Sequence, residues 1–311
     1  MADSFSYTYG PVPSRRFGRS LGVSLIPPKT CSYSCVYCQL GRTDHLRTQR
    51  KAFFDREAVL AAIREHAAGD EFDYTTFVGD GEPTLSKNLG WLIQESKRAT
   101  ARPVAVITNG SLLYQDEVRE ELLEADVVVP SLDAGNATLF KAVNRPHGSL
   151  DFADMVHGLI EFRREYKHQI WVEVMLVRNL NDSDEALYEI ADLLEEIAPD
   201  KIFIMTPIRP PAENWVRPPI PRQIIRAHEI LEKSVAITEN ETGELGLSAF
   251  KEADEAILEI GSRHPLRLEQ ALQIEEYFNG RGLIDGMIRN KILVKVSYNS
   301  SVYLLPSRFI R

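Results

Sequence analysis

Cys31, Cys35 and Cys38 are the only cysteines in a chain of 311 residues, and they fall within one stretch, Cys31-Ser32-Tyr33-Ser34-Cys35-Val36-Tyr37-Cys38. A chain that uses cysteine nowhere else has not placed these three for packing. The spacing C-x3-C-x2-C puts three thiolates on one tight loop, where they can converge on one metal centre. Three thiolates can hold three irons of a [4Fe–4S] cluster and leave the fourth iron open to an external ligand. Two other readings compete. An odd number of cysteines argues against a disulfide framework. A structural zinc site needs a fourth ligand, for which His45 is the nearest candidate.

Four further groups carry chemistry. Gly79-Asp80-Gly81-Glu82-Pro83-Thr84 combines glycines, which permit close backbone approach, with Glu82, a carboxylate able to receive an ammonium group. A Gly/Pro turn ahead of a helix would explain the glycines but not the glutamate. Asn109 sits in Thr108-Asn109-Gly110, whose Asn-Gly pair is also a common turn. In Pro130-Ser131-Leu132-Asp133, period-two alternation puts Ser131 and Asp133 on one face and Leu132 on the other. Glu173 is the single carboxylate in Trp171-Val172-Glu173-Val174-Met175-Leu176-Val177 and faces away from Val172, Val174 and Leu176. Burying it requires a partner, either an ion pair with a neighbouring strand or a bound ligand.

These groups need a scaffold, and the hydrophobic pattern supplies one. Apolar runs at Leu21–Ile26, Thr75–Val78, Val104–Ile107, Val127–Val129, Ile170–Val177 and Ile202–Met205 predict six strands. Helical spacing over 55–66, 89–97, 116–123, 152–166, 186–197 and 224–233 follows most of them. Strands alternating with helices predict a parallel sheet. Periodicity fits an open doubly wound sheet and a partial barrel equally well.

The cysteine motif, read with Tyr37 as C-x3-C-x-aromatic-C, resembles the signature of the radical S-adenosylmethionine (radical SAM) enzymes. The resemblance covers about residues 8–235 and implies a partial (β/α)6 TIM-like barrel, with the chemistry at the C-terminal ends of the strands. It implies one [4Fe–4S] cluster on Cys31, Cys35 and Cys38 and S-adenosylmethionine on its open iron. Gly81, Glu82 and Pro83 match the family's Gly-Glu-Pro motif, which holds the methionyl amino group. Asn109 matches a polar position near the cofactor, Ser131 and Asp133 match positions that contact its ribose or carboxylate, and Tyr37 falls near the adenine. Glu173 is a candidate for cofactor or substrate. Pro11-Val12-Pro13-Ser14-Arg15-Arg16 and Gly18-Arg19-Ser20-Leu21-Gly22 make the chain similar to single-cluster relatives of the tRNA wybutosine-synthesis radical enzyme. It departs from that enzyme in having no cysteines left for a second cluster. The implied reaction is reductive cleavage of S-adenosylmethionine to a 5′-deoxyadenosyl radical, which takes hydrogen from a substrate. No acid or base is singled out.

Composition bounds the setting. A net charge of −9 and pI near 5.4 argue against a broad nucleic-acid binder. Arg15, Arg16 and Arg19 before the cysteines, and Arg42, Arg47, Arg50 and Lys51 after them, are solvated loop charge or a seat for an anionic partner. Arg209, Trp215 and Arg217 lie in a segment holding six of the 17 prolines, a stiff rim or connector. The amino-terminal residues do not read as a signal peptide, no apolar run is long enough for a membrane helix, and free thiols imply a reducing compartment, so a cytoplasmic location is expected.

Residues 1–236 are expected to form the barrel, 237–248 a polar linker, and 249–311 a separately packed winged-helix-like module of three helices and a hairpin. The module has nine Lys/Arg and eight Asp/Glu, a balance that suits a docking element better than a DNA reader. The expected partners are a reductant such as flavodoxin or ferredoxin and a macromolecular substrate, tRNA or protein, with no membrane. A glycyl-radical-enzyme activase is the alternative function, and an iron–sulfur DNA-binding regulator a third.

Overall fold

A computed structural model of the chain describes residues 6–235, 245–248 and 250–307. Its first strands, β1 (Thr8–Ser14) and β2 (Gly18–Val23), form an antiparallel hairpin. Two short strands, β3 (Thr30–Cys31) and β4 (His45–Leu46), bracket the cysteine loop and pair in parallel. Then come β5 (Tyr74–Phe77), β6 (Val104–Thr108), β7 (Val127–Pro130), β8 (Gln169–Met175), β9 (Lys201–Met205) and β10 (Ser234–Val235). The sheet order is β1-β2-β5-β6-β7-β8-β9-β10, parallel from β2 onward. Helices α1 (Arg56–Gly69), α2 (Leu89–Thr100), α3 (Asp116–Leu122), α4 (Ala137–Val143), α5 (Phe152–Glu165), α6 (Asp184–Ile197) and α7 (Pro221–Ile230) connect the strands. The result is a partial TIM-like barrel with β1 and β10 at its edges.

The local reasons are legible. In α6, Ser183 caps the first turn by accepting from the Ala186 N–H, and Leu187, Ile190, Leu194 and Ile197 bury one face. The alternation read along Trp171–Val177 holds. Val172, Val174 and Leu176 pack with Leu132 in the layer between sheet and helices. Trp171 and Met175 turn into the barrel, where Phe17, Ala105, Val127, Val129, Phe203 and Met205 form an inner core. Phe17, from the β1–β2 turn, stacks on Trp171 with ring centroids 5.3 Å apart and fills the end opposite the loops.

Two strands of the main sheet escape the sequence pattern. β1 holds Pro11 and Pro13, which argue against a strand, yet an edge strand with an irregular register tolerates them. β10 is two residues long. The first predicted strand, Leu21–Ile26, also begins earlier, at Gly18.

Beyond residue 250 come α8 (Ala253–Arg263), β11 (Leu266–Arg267), α9 (Leu268–Tyr277), α10 (Leu283–Arg289), β12 (Leu293–Tyr298) and β13 (Ser301–Pro306). The expected three helices and hairpin are present. β11, which three helices and a hairpin do not include, adds a third strand in the order β11-β13-β12. Asn299 and Ser300 both adopt positive φ (46° and 63°), which closes a two-residue hairpin turn.

The expected linker falls mostly on residues 237–244, outside the described residues. The expectation of separate packing is corrected. Tyr9 and Val12 of β1 share one apolar core with Leu247, Ile257, Ile260 and Ile274. Tyr298 and Tyr303 donate to the Pro207 and Ile208 carbonyls (each 2.8 Å), fastening the hairpin to the loop after β9. No helix among the described residues is long and apolar enough to cross a membrane.

Candidate functional site

All three cysteines open on one cavity of about 290 Å³ at the C-terminal ends of the strands. The loop that carries them is held by main-chain bonds. Ser34 N–H donates to the Asn144 carbonyl (3.0 Å), Val36 N–H to Val143 (2.9 Å), and His147 N–H to Ser32 (2.8 Å). Glu213, clamped by Arg42 (2.9 Å) and Arg145 (2.5 Å), sends its own N–H to the Val36 carbonyl (3.1 Å) and straps the loop from the far side.

The Gly81–Glu82 loop is joined directly to the cysteine loop. Glu82 N–H donates to the Thr30 carbonyl (3.2 Å), and Thr30 and Gly81 form a parallel bridge. A Cβ on Gly81 would stand 1.8 Å from that carbonyl oxygen, so no other residue fits. The glycine serves this backbone crossing, a reason the motif alone did not give.

Glu82 is buried, and its carboxylate is caged. Oε1 accepts from Thr84 N–H (3.0 Å), Thr84 Oγ1 (2.6 Å) and Thr108 Oγ1 (2.6 Å), and Oε2 accepts from Asn109 N–H (2.7 Å). Burial raises its carboxyl pKa above the ordinary value, against those bonds. Oε2 keeps acceptor capacity, because a carboxylate oxygen has about two lone-pair sites and one donor is in place. Asn109, Ser131 and Glu173 line the same cavity. Glu173 is ion-paired with Arg16, which meets the cost of its inward position.

Two predicted site residues stand behind the wall. Pro83 starts the short 3-10 turn at 83–85 and does not line the cavity. Asp133 does not line it either. Its Oδ2 accepts from the Tyr37 hydroxyl (2.5 Å) and Asn144 Nδ2 (2.6 Å), and its Oδ1 from Met175 N–H (2.8 Å). β7 ends at Pro130, so the alternation that turns Ser131 inward no longer governs Asp133. Asp133 therefore fixes the orientation of Tyr37, whose ring does line the cavity.

Burial raises the Asp133 carboxyl from 3.8 to about 6, against the bonds from Tyr37, Met175 and Asn144. Between those values the folded chain binds the more protons, so this group's contribution to stability falls as pH rises from about 4 to 6. A shift of about two units corresponds to about 3 kcal/mol over that window. In the metal-free chain, the stability difference between wild type and Asp133→Asn is expected to shrink by that order from pH 4 to 6. Parallel pH profiles in chemical denaturation would contradict the assignment.

The cysteines suit a metal cluster. Burial, with the charge of Glu82, pushes the Cys31 thiol up to about 12, and burial with the charge of Asp133 raises Cys35, so cations are needed to hold both as thiolates. Among the described residues no three His, Cys, Asp or Glu side chains gather around a single-ion position. A cluster takes its thiolates one per iron and needs them spread. His45, the candidate zinc ligand, is exposed on β4 and outside the cavity lining.

Sequence reading missed the contacts that tie the C-terminal module to this site. Arg263, at the end of α8, is buried and donates through Nε to Asp80 of the cofactor loop (2.9 Å) and through its other nitrogens to Glu259 (2.7 Å) and the Ser6 carbonyl (2.7 Å). Its own carbonyl accepts from Gln39, the residue after Cys38 (2.8 Å). Of the predicted rim, Arg209 lines the cavity and reaches Gln39 (2.8 Å) and His264, whereas Trp215 is exposed and Arg217 bonds carbonyls of its own loop. Arg50 is also structural, buried against Thr84, Ser86 and Glu121.

A parallel partial barrel with three loop cysteines at its strand ends defines a class of S-adenosylmethionine-dependent enzymes, and residues 25–193 match the radical SAM superfamily. The chain belongs to that superfamily. A UPF0026 protein of Methanocaldococcus jannaschii is 35% identical over 309 residues, covering 96% of this chain and 95% of that one. A Brachyspira hyodysenteriae protein named GTPase Obg is 47% identical over 202 residues, 65% of this chain, which spans 30% of that relative's length. Among solved structures, a radical SAM methyltransferase from Sphaerobacter thermophilus superposes with a TM-score of 0.51 at 21% identity. It covers 68% of this chain and 62% of that one, a likeness of fold.

Proposed function

We propose that the chain is a radical SAM enzyme that binds one [4Fe–4S] cluster on Cys31, Cys35 and Cys38 and acts on a macromolecular substrate, tRNA or protein. The observation that carries this reading is the convergence of three cysteines, Glu82, Asn109, Ser131 and Glu173 on one cavity. Held by Cys31, Cys35 and Cys38 and reduced, the cluster would supply the one electron for cleaving S-adenosylmethionine into methionine and a 5′-deoxyadenosyl radical able to take hydrogen from the substrate. The protein's part is to bind, orient and exclude water. Glu82 Oε2 receives the methionyl ammonium, Asn109 and Ser131 supply further polar contacts, and the Tyr37 ring borders the adenine. Asp133 holds Tyr37 in place.

Cavity size favours a large substrate presented from outside. Small-molecule sites usually enclose ~300–1,000 Å³, and this one, at about 290 Å³, would be largely taken up by S-adenosylmethionine. The C-terminal module is fastened to the loop after β9, which supports a docking role for it. A one-electron reductant such as flavodoxin or ferredoxin is the proposed partner, in a cytoplasmic setting.

Anaerobic reconstitution with S-adenosylmethionine and dithionite, followed by mass spectrometry, tests the reading. The expected product is 5′-deoxyadenosine, formed slowly without substrate. A full-length, iron-replete chain that makes none, and binds specific DNA instead, would establish the regulator reading. Glu82→Gln is expected to keep the cluster and weaken S-adenosylmethionine binding. Loss of one charge-assisted bond costs ~1.5–3 kcal/mol, or roughly ten- to a hundredfold. Unchanged affinity in anaerobic titration would remove Glu82 from the site.

A further inference from the structure

Two of the cysteine sulfurs are met by side-chain amides, Asn109 and Asn144, and this contact to sulfur has no part in the reaction proposed above. Asn109 Nδ2 stands 2.8 Å from Ser32 Oγ and 3.5 Å from Cys31 Sγ. Asn144 Nδ2 stands 2.6 Å from Asp133 Oδ2 and 3.5 Å from Cys35 Sγ. The pattern is the same twice. Each amide has two hydrogens, gives one to an oxygen that fixes its plane, and turns the other toward sulfur.

Neither amide can flip without loss. Asn109 Oδ1 already accepts from Ser111 N–H (2.9 Å). Turning Asn144 over would set its oxygen against the Asp133 carboxylate, which Tyr37 and the Met175 N–H hold in place. Asn144 is also buried at the end of α4, where its carbonyl accepts from Ser34 N–H, so its side chain is fixed from both ends. Cys38 is met instead by the backbone N–H of Leu40, and Cys31 accepts the Tyr33 N–H (3.5 Å) besides its amide.

We infer that the Asn109 and Asn144 amides set the reduction potential of the cluster held by these cysteines. Reduction adds negative charge to a cluster, and much of it falls on sulfur. A buried N–H dipole aimed at sulfur stabilises that charge more than it stabilises the oxidised state, and hydrogen bonds to sulfur are among the levers on cluster potential. Asn109 and Asn144 act as positioning residues for charge, and Ser32 and Asp133 aim them.

The inference rests on the cluster reading above, and one experiment separates the two. Full-length wild type, Asn109→Leu, Asn144→Leu and the double variant are reconstituted anaerobically with iron and sulfide. Each is assayed for iron and sulfide content and thermal melting, then titrated with dithionite under electron paramagnetic resonance. Leucine keeps the branched shape of asparagine and removes the donor. Each single variant is expected to lower the reduction equilibrium about tenfold, a shift of about 59 mV to more negative potential for one electron, with a larger shift in the double variant. Iron-replete variants with the wild-type potential overturn the inference and leave the cluster standing. If one variant fails to take up iron, the other position decides. If both fail, the amides are supports for the loop and the inference is overturned. A wild type that takes up no iron removes the cluster reading and this inference with it.

Discussion

Alanine at any one of Cys31, Cys35 or Cys38 is expected to abolish iron binding and, with it, all formation of 5′-deoxyadenosine. The chain has no fourth cysteine to stand in. The nearby carboxylates are committed, Glu82 to four donors and Asp80 to Arg263. The fold should survive the substitution, because the loop is held by main-chain bonds to residues 143–147 and by the Glu213 clamp rather than by the sulfurs. The diagnostic result is therefore loss of iron with an unchanged melting profile of the metal-free chain. About one zinc per chain and no iron, after anaerobic preparation of the wild type, would reverse the assignment.

Deleting residues 249–311 is expected to cost the barrel its cluster and its S-adenosylmethionine site together. A separately packed module, the expectation from sequence, would instead leave uncoupled 5′-deoxyadenosine formation in place. The packing decides between them. Removing the module strips Arg263 from Asp80, and breaking a buried ion pair by deleting one partner typically costs ~3–5 kcal/mol. It also uncovers Tyr9 and Val12 and leaves Gln39 without the Arg263 carbonyl. Both cofactor loops lose a support. Arg263→Met probes the same point with the module in place and is expected to weaken S-adenosylmethionine binding without unfolding the chain. A truncated protein that folds, keeps its iron and still cleaves the cofactor would show that these contacts are dispensable.

What sequence disclosed, and what it withheld, follows from the range of each interaction. The cysteine spacing, the glycines around Glu82 and the inward turn of Glu173 are local facts, readable over a few residues. Asp133 marks where a local rule stops, since the strand ends before it. Arg263 and Asp80 are 183 positions apart, and Glu213 lies 171 from Arg42. No periodicity links such pairs. Asn144 gave no signal because an asparagine at a helix end is common. Asp80, within a glycine-rich loop, was the nearest thing to a clue. An acid beside the cofactor glutamate needs a cation, and the chain had to supply one from elsewhere.

The aromatic stack of Phe17 on Trp171, with Phe203 and Met205 around it, makes the cavity a blind well. Met175 and Met205 belong both to that packing and to the cavity wall, so they form its floor. That floor closes the route through the barrel. Whatever enters between the strand ends must leave by the same route, past the cysteine loop and the loop after β9. A large molecule lying across that route would trap whatever had already gone in. With a macromolecular substrate, the shape would set a binding order: the smaller guest first, its remnants leaving only after the larger one had moved aside.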